Sequence, residues 1–199
     1  MNKKPFWKRC NRGFVVSMAL LAAVLVYVLA GIVILLPEKK QLRAMASDVA
    51  TLVEQQMTFN AEQLETLKTD EGLAAEQQRI INEIRPLFWE ETEYLQPSGA
   101  LLAGLGRQIV YNGFAATEVE RVGTDNNACT INEDVATVSV RYRLQLTGRP
   151  IDGENKDEQT LTSCVELTLL CKKVDGEWKI FNISNACTSY DMTGGWMIR

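Results

Sequence analysis

The segment VELTLLCKKVDGEWKIFNI, residues 165–183, holds the pattern that decides the fold. Its first half alternates apolar with polar residues, which is typical of a β-strand that buries one face. Asp175–Gly176 then separates this run from a second apolar run, and Asp-Gly at such a position indicates a tight hairpin turn. We therefore predict two antiparallel strands joined by a two-residue turn that pairs Val174 with Glu177.

The preceding chain contains a strand of the same kind. Residues 135–146 alternate apolar and polar side chains, as in an antiparallel strand with one solvated face. Residues 159–172 form the next strand, so the two are expected to pair as another hairpin. On the outer face, Arg141 and Arg143 indicate a solvated surface or an anion site, and Glu166 is a solvated carboxylate or their ion partner. The inner face consists of Ala136, Val138, Val140, Tyr142, Leu144 and Leu146.

Two helices are predicted upstream of these strands. Residues 38–68 carry an apolar stripe at helical spacing, which favours packing on the chain's own domain or a short dimerising coiled coil. Residues 73–95 resume the helical pattern, with a kink or restart at Pro86 and a stop at residues 96–99. Helices followed by strands indicate an α+β fold. The stripe consists of Leu42, Met45, Val49 and Leu52.

The segment between the helices and the long strands is less regular. We predict one or two strands within residues 107–122 and a loop at residues 125–127. The whole domain is therefore expected to pack its helices on a curved antiparallel sheet of about four to six strands. The apolar residues that mark the first of these segments are Ile109, Tyr111, Phe114 and Val119.

The N-terminal region predicts a membrane anchor. Residues 13–36 form 24 uncharged positions rich in Leu, Val, Ile and Ala, which is enough helix to cross a bilayer. A cleaved signal peptide is the alternative, but the apolar run exceeds the usual signal core. Five basic residues precede the run, which favours a cytoplasmic N-terminus. The expected parts are a basic head at 1–12, a transmembrane helix at 13–36, a membrane-proximal helix or linker at 37–69 and an exported domain at 70–199.

Composition limits the partners and the chemistry of the exported part. Residues 1–36 hold five of the 21 basic residues and none of the 25 acidic ones, so the remainder carries a formal charge of 16 − 25 = −9. A nucleic-acid partner is not expected, because phosphate binding needs a basic surface. Histidine is absent from the sequence, which removes the commonest general base and metal ligand. We expect no enzymatic activity, no cofactor and no metal.

The cysteines suggest disulfides in an oxidising compartment. Four of the five lie in the exported part, which suggests two disulfides. Their spacing contains no Cys-x-x-Cys pair of the kind that zinc sites use. A hairpin turn at Asp175–Gly176 without bulges places Cys164 opposite Cys187. Cys129 is then left for Cys171. We therefore predict the bridges Cys164–Cys187 and Cys129–Cys171.

The segment at 165–183 resembles the closing hairpin of nuclear transport factor 2-like domains, in which a long strand ends in a short Gly turn followed by Trp-Lys-Ile. The resemblance covers about residues 70–187 in the order of elements and is specific only in the last part. It implies a cone of helices on a curved sheet. That superfamily includes isomerases, dehydratases, small-molecule binders and scaffolds, so fold does not settle function.

The resemblance also directs attention to one candidate pocket. In enzymes of this superfamily, the cone interior can hold a carboxylate base among aromatic residues. Glu90 or Glu91, beside Trp89 and Tyr94 on the second predicted helix, would take that role if its side chain points inward. The other reading of these residues is an exposed pair of helical carboxylates beside one core aromatic residue.

The arrangement of head, anchor and exported domain is similar to inner-membrane scaffold subunits of type IV secretion and conjugation machines. This similarity implies binding to envelope proteins and self-association, with no reaction. The expected function is therefore a membrane-anchored interaction domain of the cell envelope. An exported small-ligand-binding domain and an enzyme that uses carboxylate acid–base chemistry are the alternatives.

Overall fold

The computed structural model describes residues 12–58, 61–111, 113–151 and 157–191. The predicted basic head lies outside the described residues except for Arg12. Within the described ranges, the helices precede the strands, which confirms the predicted α+β class. The helices are α1 (Arg12–Gln56), α2 (Ala61–Leu67), α3 (Asp70–Ile84) and α4 (Leu95–Tyr111), with a 3₁₀ turn at Arg85–Leu87 after α3. The strands are β1 (Phe114–Asn132), β2 (Val135–Pro150), β3 (Gln159–Val174) and β4 (Glu177–Asp191).

The chain divides into two compact units, Met1–Lys40 and Gln41–Arg199. The first contains the apolar part of α1, whose large hydrophobic side chains are exposed. This helix is long and apolar enough to cross a membrane, by its length and composition. The prediction of a membrane-spanning helix in this segment agrees with that finding.

The second unit contains a four-stranded antiparallel sheet in the order β1-β2-β3-β4. The predicted turn is confirmed, because Val174 pairs with Glu177. Asp175 and Gly176 have φ values of 51° and 88°. A two-residue hairpin turn of this hand needs positive φ at both positions, which explains the Asp-Gly sequence.

The core lies between the helices and the inner face of the sheet. All six predicted inner residues of β2 are buried, and the polar residues between them lie on the other face. Leu42, Met45 and Val49 of α1 are buried in the same cluster. The predicted apolar stripe therefore packs on the chain's own domain.

The first error of the sequence prediction concerns α4. Ile109 and Tyr111 lie in this helix and not in a strand. The buried residues of α4 include Leu102, Leu105 and Ile109, which follow helical spacing. The predicted stop at residues 96–99 lies inside the first turn of α4, where a proline removes no helical hydrogen bond.

Two further boundaries differ from the prediction. The second predicted helix was expected to reach residue 95, but α3 ends at Ile84 and the 3₁₀ turn that follows ends at Leu87. Proline occupies the middle of that turn and prevents the α-helix from continuing. The predicted loop at 125–127 belongs to β1, where the register shifts between Thr124 and Asn126. A bulge accommodates these polar residues within a strand.

Candidate functional site

The candidate pocket predicted around Trp89 lies on a loop and not on a helix. This loop lies beside β4 and is hydrogen-bonded to it. Trp89 N donates to Ile180 O at 2.8 Å, and Thr92 Oγ1 donates to Phe181 O at 2.7 Å. The Lys172 ammonium lies 4.3 Å from the centroid of the Trp89 ring. The indole is therefore a packing contact for a sheet lysine.

The carboxylates of this loop are exposed. Glu90 and Glu91 both face solvent, and Tyr94 is 41% exposed. The structure does not bring these residues together around an enclosed space. The carboxylates of Glu90 and Glu91 are therefore hydrated and lack the buried, apolar surroundings that a catalytic carboxylate in a pocket would need.

A partly buried carboxylate that the sequence reasoning missed lies at Glu54. The Arg121 guanidinium on β1 forms an ion pair with this carboxylate. Arg121 also donates to Ser47 Oγ at 3.4 Å and to Thr51 Oγ1 at 3.3 Å, both on α1. The Glu54–Arg121 pair therefore joins α1 to the edge strand of the sheet.

The Tyr142 ring completes this polar cluster. The Arg121 guanidinium lies 5.2 Å from its centroid, and the side chain is 1% exposed. Burial raises the pKa of Tyr142; the Glu54 charge adds to this rise in pKa and the Arg121 charge opposes it. Within the described part of the chain, the Tyr142 hydroxyl has no hydrogen-bond partner.

Sequence reasoning placed Tyr142 on the inner face but did not find its two charged neighbours. Glu54 lies in the predicted helix beside the apolar stripe, and Arg121 lies in the segment whose strand was poorly defined. A carboxylate beside a helical stripe and an arginine in a strand are common separately. Only the packing of α1 on β1 brings them together as a partly buried pair.

The predicted disulfides are wrong for this structure. Among the described residues, no cysteine pair lies at disulfide distance. Cys129 pairs with Val138, and Cys171 pairs with Ala136, so β2 separates the two cysteines. Burial raises the pKa of Cys171 to about 12, with a further contribution from Cys129.

The Cys164–Cys187 prediction failed on register. Cys164 is opposite Ser189, and Cys187 is opposite Glu166. Two register shifts between the turn and Cys164 displace the pairing by two residues. The described cysteines therefore provide no support for an oxidising compartment.

The outer face of the sheet carries paired polar side chains between β2 and β3. Arg141 Nε lies 3.3 Å from Glu166 Oε1, which is one of the alternatives expected for Glu166, and it donates to Cys164 Sγ at 3.0 Å. Beside this pair, the Ser139 and Thr168 hydroxyls lie 3.3 Å apart. A shallow groove of about 250 Å³ runs over these residues. The polar side chains of this face therefore contact one another across β2 and β3.

A second depression lies among the helices. It has a volume of about 320 Å³ and is lined by the end of α1, by α2 and by α3. Its wall includes Gln56, whose side chain is only 4% exposed. We call this depression the Gln56 cleft. Its other lining residues are Gln55, Thr58, Gln63, Thr66, Leu67, Gly72, Ala75, Glu76 and Arg79.

The described part of the chain contains no group of three His, Cys, Asp or Glu side chains placed to hold a metal ion.

Comparisons with known proteins give distant structural likenesses. No family model and no curated protein matches the chain. A nuclear transport factor 2-like protein with a cystatin-like fold from Novosphingobium aromaticivorans is 13% identical, with a TM-score of 0.37, 84% of this chain and 90% of that chain covered. LinA is 22% identical, with a TM-score of 0.37 and coverage of 64% and 85%. A nuclear transport factor 2-like superfamily protein from Salmonella enterica is 13% identical, with a TM-score of 0.33 and coverage of 73% and 96%. At these scores, the likenesses identify no activity.

Proposed function

We propose that this chain is a single-pass membrane protein whose C-terminal domain binds other proteins of the cell envelope and carries out no reaction. The filled interior of the domain carries this proposal. The second half of α1 and the inner faces of β2 and β3 contribute to one continuous buried cluster. Side chains therefore occupy the space in which a cone-shaped domain would hold a substrate.

The charged groups of the interior fit the same role. Glu54 is neutralised by its ion pair with Arg121, and this guanidinium is also engaged by two hydroxyls of α1. The cluster joins α1 to β1, and neither Glu54 nor Arg121 lines either of the two depressions described above.

The apolar helix and its flanking charges support the proposed location. Basic residues precede the apolar run at 13–36, and the remainder of the chain is acidic. The positive-inside rule then favours a cytoplasmic N-terminus and an extracytoplasmic domain. Anchoring through residues 13–36 concentrates the domain at the membrane surface, where it meets envelope proteins or a second copy of itself.

The outer face of β2 and β3 is the proposed contact surface. It presents polar and charged side chains around a shallow groove, and such groups can form hydrogen bonds and ion pairs with a protein partner. The order of a basic head, one membrane helix and an exported domain is similar to that of scaffold subunits in secretion and conjugation machines. We therefore propose that the chain is an assembly subunit of this kind.

Photocrosslinking in cells tests the contact surface. A photoreactive amino acid replaces Arg143 on the outer face, and a matched variant carries it at Gln78 on the exposed side of α3. We expect discrete crosslinked proteins from position 143 and none from position 78. Identical products from both positions, or none from position 143, would contradict the proposal.

Protease treatment of spheroplasts tests the orientation. The full-length chain carries one epitope at each end, and protease is added from outside. We expect loss of the C-terminal epitope with retention of the N-terminal one. Retention of the C-terminal epitope in spheroplasts that are intact, with its loss after lysis, would place the domain in the cytoplasm.

The second candidate function is binding of a small ligand by the exported domain. The Gln56 cleft favours it, because this cleft lies outside the filled interior and is lined by both polar and apolar side chains. Its volume of about 320 Å³ is at the small end of the range for ligand pockets.

A further inference from the structure

The apolar run at 13–36 contains two side chains with a hydroxyl, Ser17 and Tyr27, and the two differ in hydrogen bonding. Ser17 Oγ donates to Gly13 O at 3.0 Å, one turn earlier in the same helix. Tyr27 is 81% exposed, and among the described residues its hydroxyl has no hydrogen-bond partner. A hydroxyl that enters hydrocarbon without a partner keeps the full cost of its desolvation. The chain therefore satisfies the first hydroxyl and leaves the second to its surroundings.

The depth of Tyr27 in a membrane keeps its hydroxyl away from water. At about 1.5 Å per residue, Tyr27 lies about 4 Å beyond the middle of the run, towards its C-terminal end. The nearer interface is then about 11 Å away, for a hydrocarbon core of about 30 Å. Helical side chains lean towards the N-terminus, so the phenol points back to the middle of the bilayer. A partner for this hydroxyl has to come from another membrane helix.

The face of α1 around Tyr27 leaves room for such a helix. At about 100° per residue, Ala23 and Gly31 lie within about 40° of Tyr27, one turn before it and one turn after it. Small residues at these places let the backbones of two membrane helices approach closely. A Cβ atom at Gly31 would meet no atom of the chain within 4 Å. We call the surface formed by Ala23, Tyr27 and Gly31 the Tyr27 face.

A second copy of this chain fits the Tyr27 face by symmetry. All copies carry the same basic residues before the run, so all insert with the same orientation. Two parallel copies related by a two-fold axis hold Tyr27 at the same depth. A phenol is both donor and acceptor, so one Tyr27 hydroxyl can donate to the other without any further group. The missing partner is therefore available in a second copy.

We infer that two copies of the helix at 13–36 pair through the Tyr27 face, with a hydrogen bond between their Tyr27 hydroxyls, which depends on the membrane span proposed above. The pairing lies in the membrane and not on the outer face of β2 and β3. Its failure therefore leaves the photocrosslinking test at position 143 unaffected.

Energy transfer between labelled copies of the full-length protein in lipid vesicles tests the pairing. Donor and acceptor dyes are attached to an N-terminal tag, and the protein is diluted with phosphatidylethanolamine and phosphatidylglycerol. Tyr27→Phe keeps the ring and removes the hydroxyl, while Ser17→Ala removes a hydroxyl that is bonded within its own helix. We expect association of the native protein, association weaker by about three- to tenfold for Tyr27→Phe, and a change within about 1.5-fold for Ser17→Ala.

A second pair of variants tests the position of the face. Ala23→Leu places a larger side chain beside Tyr27, and Ala22→Leu makes the same change about 140° around the helix. We expect Ala23→Leu to weaken association by about tenfold, because the added bulk holds the backbones apart, and Ala22→Leu to change it within about twofold.

Three results would overturn the inference: no association of the native protein, equal association of Tyr27→Phe and Ser17→Ala, or equal effects of the two leucine substitutions. Extraction of membranes with alkaline carbonate separates this failure from that of the membrane span. Retention in the membrane without association overturns the pairing alone, whereas release into the soluble fraction overturns the span and the pairing together. The comparison of Tyr27→Phe with Ser17→Ala decides the matter even if a leucine variant does not insert.

Discussion

The ladder between β2 and β3 and the ladder between β3 and β4 share a strand but differ in regularity. The first runs from Val135 opposite Lys172 to Gly148 opposite Gln159 without a register shift. The second contains two shifts within a few residues of its turn. The extra residues, Phe181 and Ser184, both lie on β4.

The difference in register follows from the position of each strand in the sheet. β2 and β3 each have a strand on both sides and one continuous buried face, so a slip by one residue would expose the core. β4 is an edge of the sheet and can bulge, which increases local twist. A hairpin turn therefore fixes the register only near itself, while burial fixes it along the whole central ladder.

The largest predicted effect concerns the cysteine register. Non-reducing peptide mapping of the full-length protein from membranes is expected to show no Cys164–Cys187 bridge, because Cys164 is opposite Ser189. A quantitative Cys164–Cys187 bridge would show that β4 follows the turn without bulges and would remove the difference between the two ladders. Mapping after reduction and alkylation is the control for peptide recovery.

The next effect tests burial as the origin of the regular ladder. Leu144→Ala removes a side chain of β2 that is 0% exposed. We expect a loss of about 3 kcal/mol of unfolding free energy, since a cavity adds to the lost burial. Chemical denaturation measures it, with Gln145→Ala on the outer face as control and a change within about 0.5 kcal/mol there. Equal losses for both variants would argue against one-sided burial.

At Gly148, near the end of β2, the backbone lies very close to the backbone of β1. A Cβ atom at Gly148 would lie 2.0 Å from Ala115 O on β1. Gly148→Ala is expected to cost about 2 kcal/mol, because β1 must move away. Gly104→Ala in α4 is the control, since that position is open and a helical alanine gains about 0.5–1 kcal/mol. A neutral Gly148→Ala in thermal unfolding would mean that β1 and β2 are less tightly paired.

A smaller effect is expected at the turn. Gly176 has φ of 88°, and Gly176→Ala should cost about 1 kcal/mol because a side chain disfavours that conformation. Asp175→Gly is the matched variant, with no loss beyond about 0.5 kcal/mol from backbone entropy. If Gly176→Ala also leaves thermal stability unchanged, the turn is not what pairs Val174 with Glu177.

The smallest effect lies on the outer face of the regular ladder. The Arg141–Glu166 pair is about half exposed, at 51% and 45%. A double-mutant cycle with Arg141→Ala and Glu166→Ala should give a coupling of about 0.5 kcal/mol that falls with added salt. A coupling above about 2 kcal/mol, insensitive to salt, would mean that this face is buried against something else.

Prediction from the sequence succeeded where one local rule governs a segment. The alternation in β2 and β3, the Asp175–Gly176 turn and the Arg141–Glu166 pair follow from period, turn chemistry and register. It failed where helix and strand patterns compete, as in the segment that forms α4. Glu90 and Glu91 lie on a loop and not on the predicted helix, because the helix ends before them.

The sequence by itself determined the α+β class, the apolar N-terminal helix and the inner face of the central strands, since periodicity and length are local properties of the chain. Only the tertiary structure decided which distant charges meet, since the partly buried Arg121 on β1 pairs with Glu54 on α1. It alone also displaced Cys164 from Cys187. These features depend on bulges and on the packing of distant segments, which no local spacing in the sequence encodes.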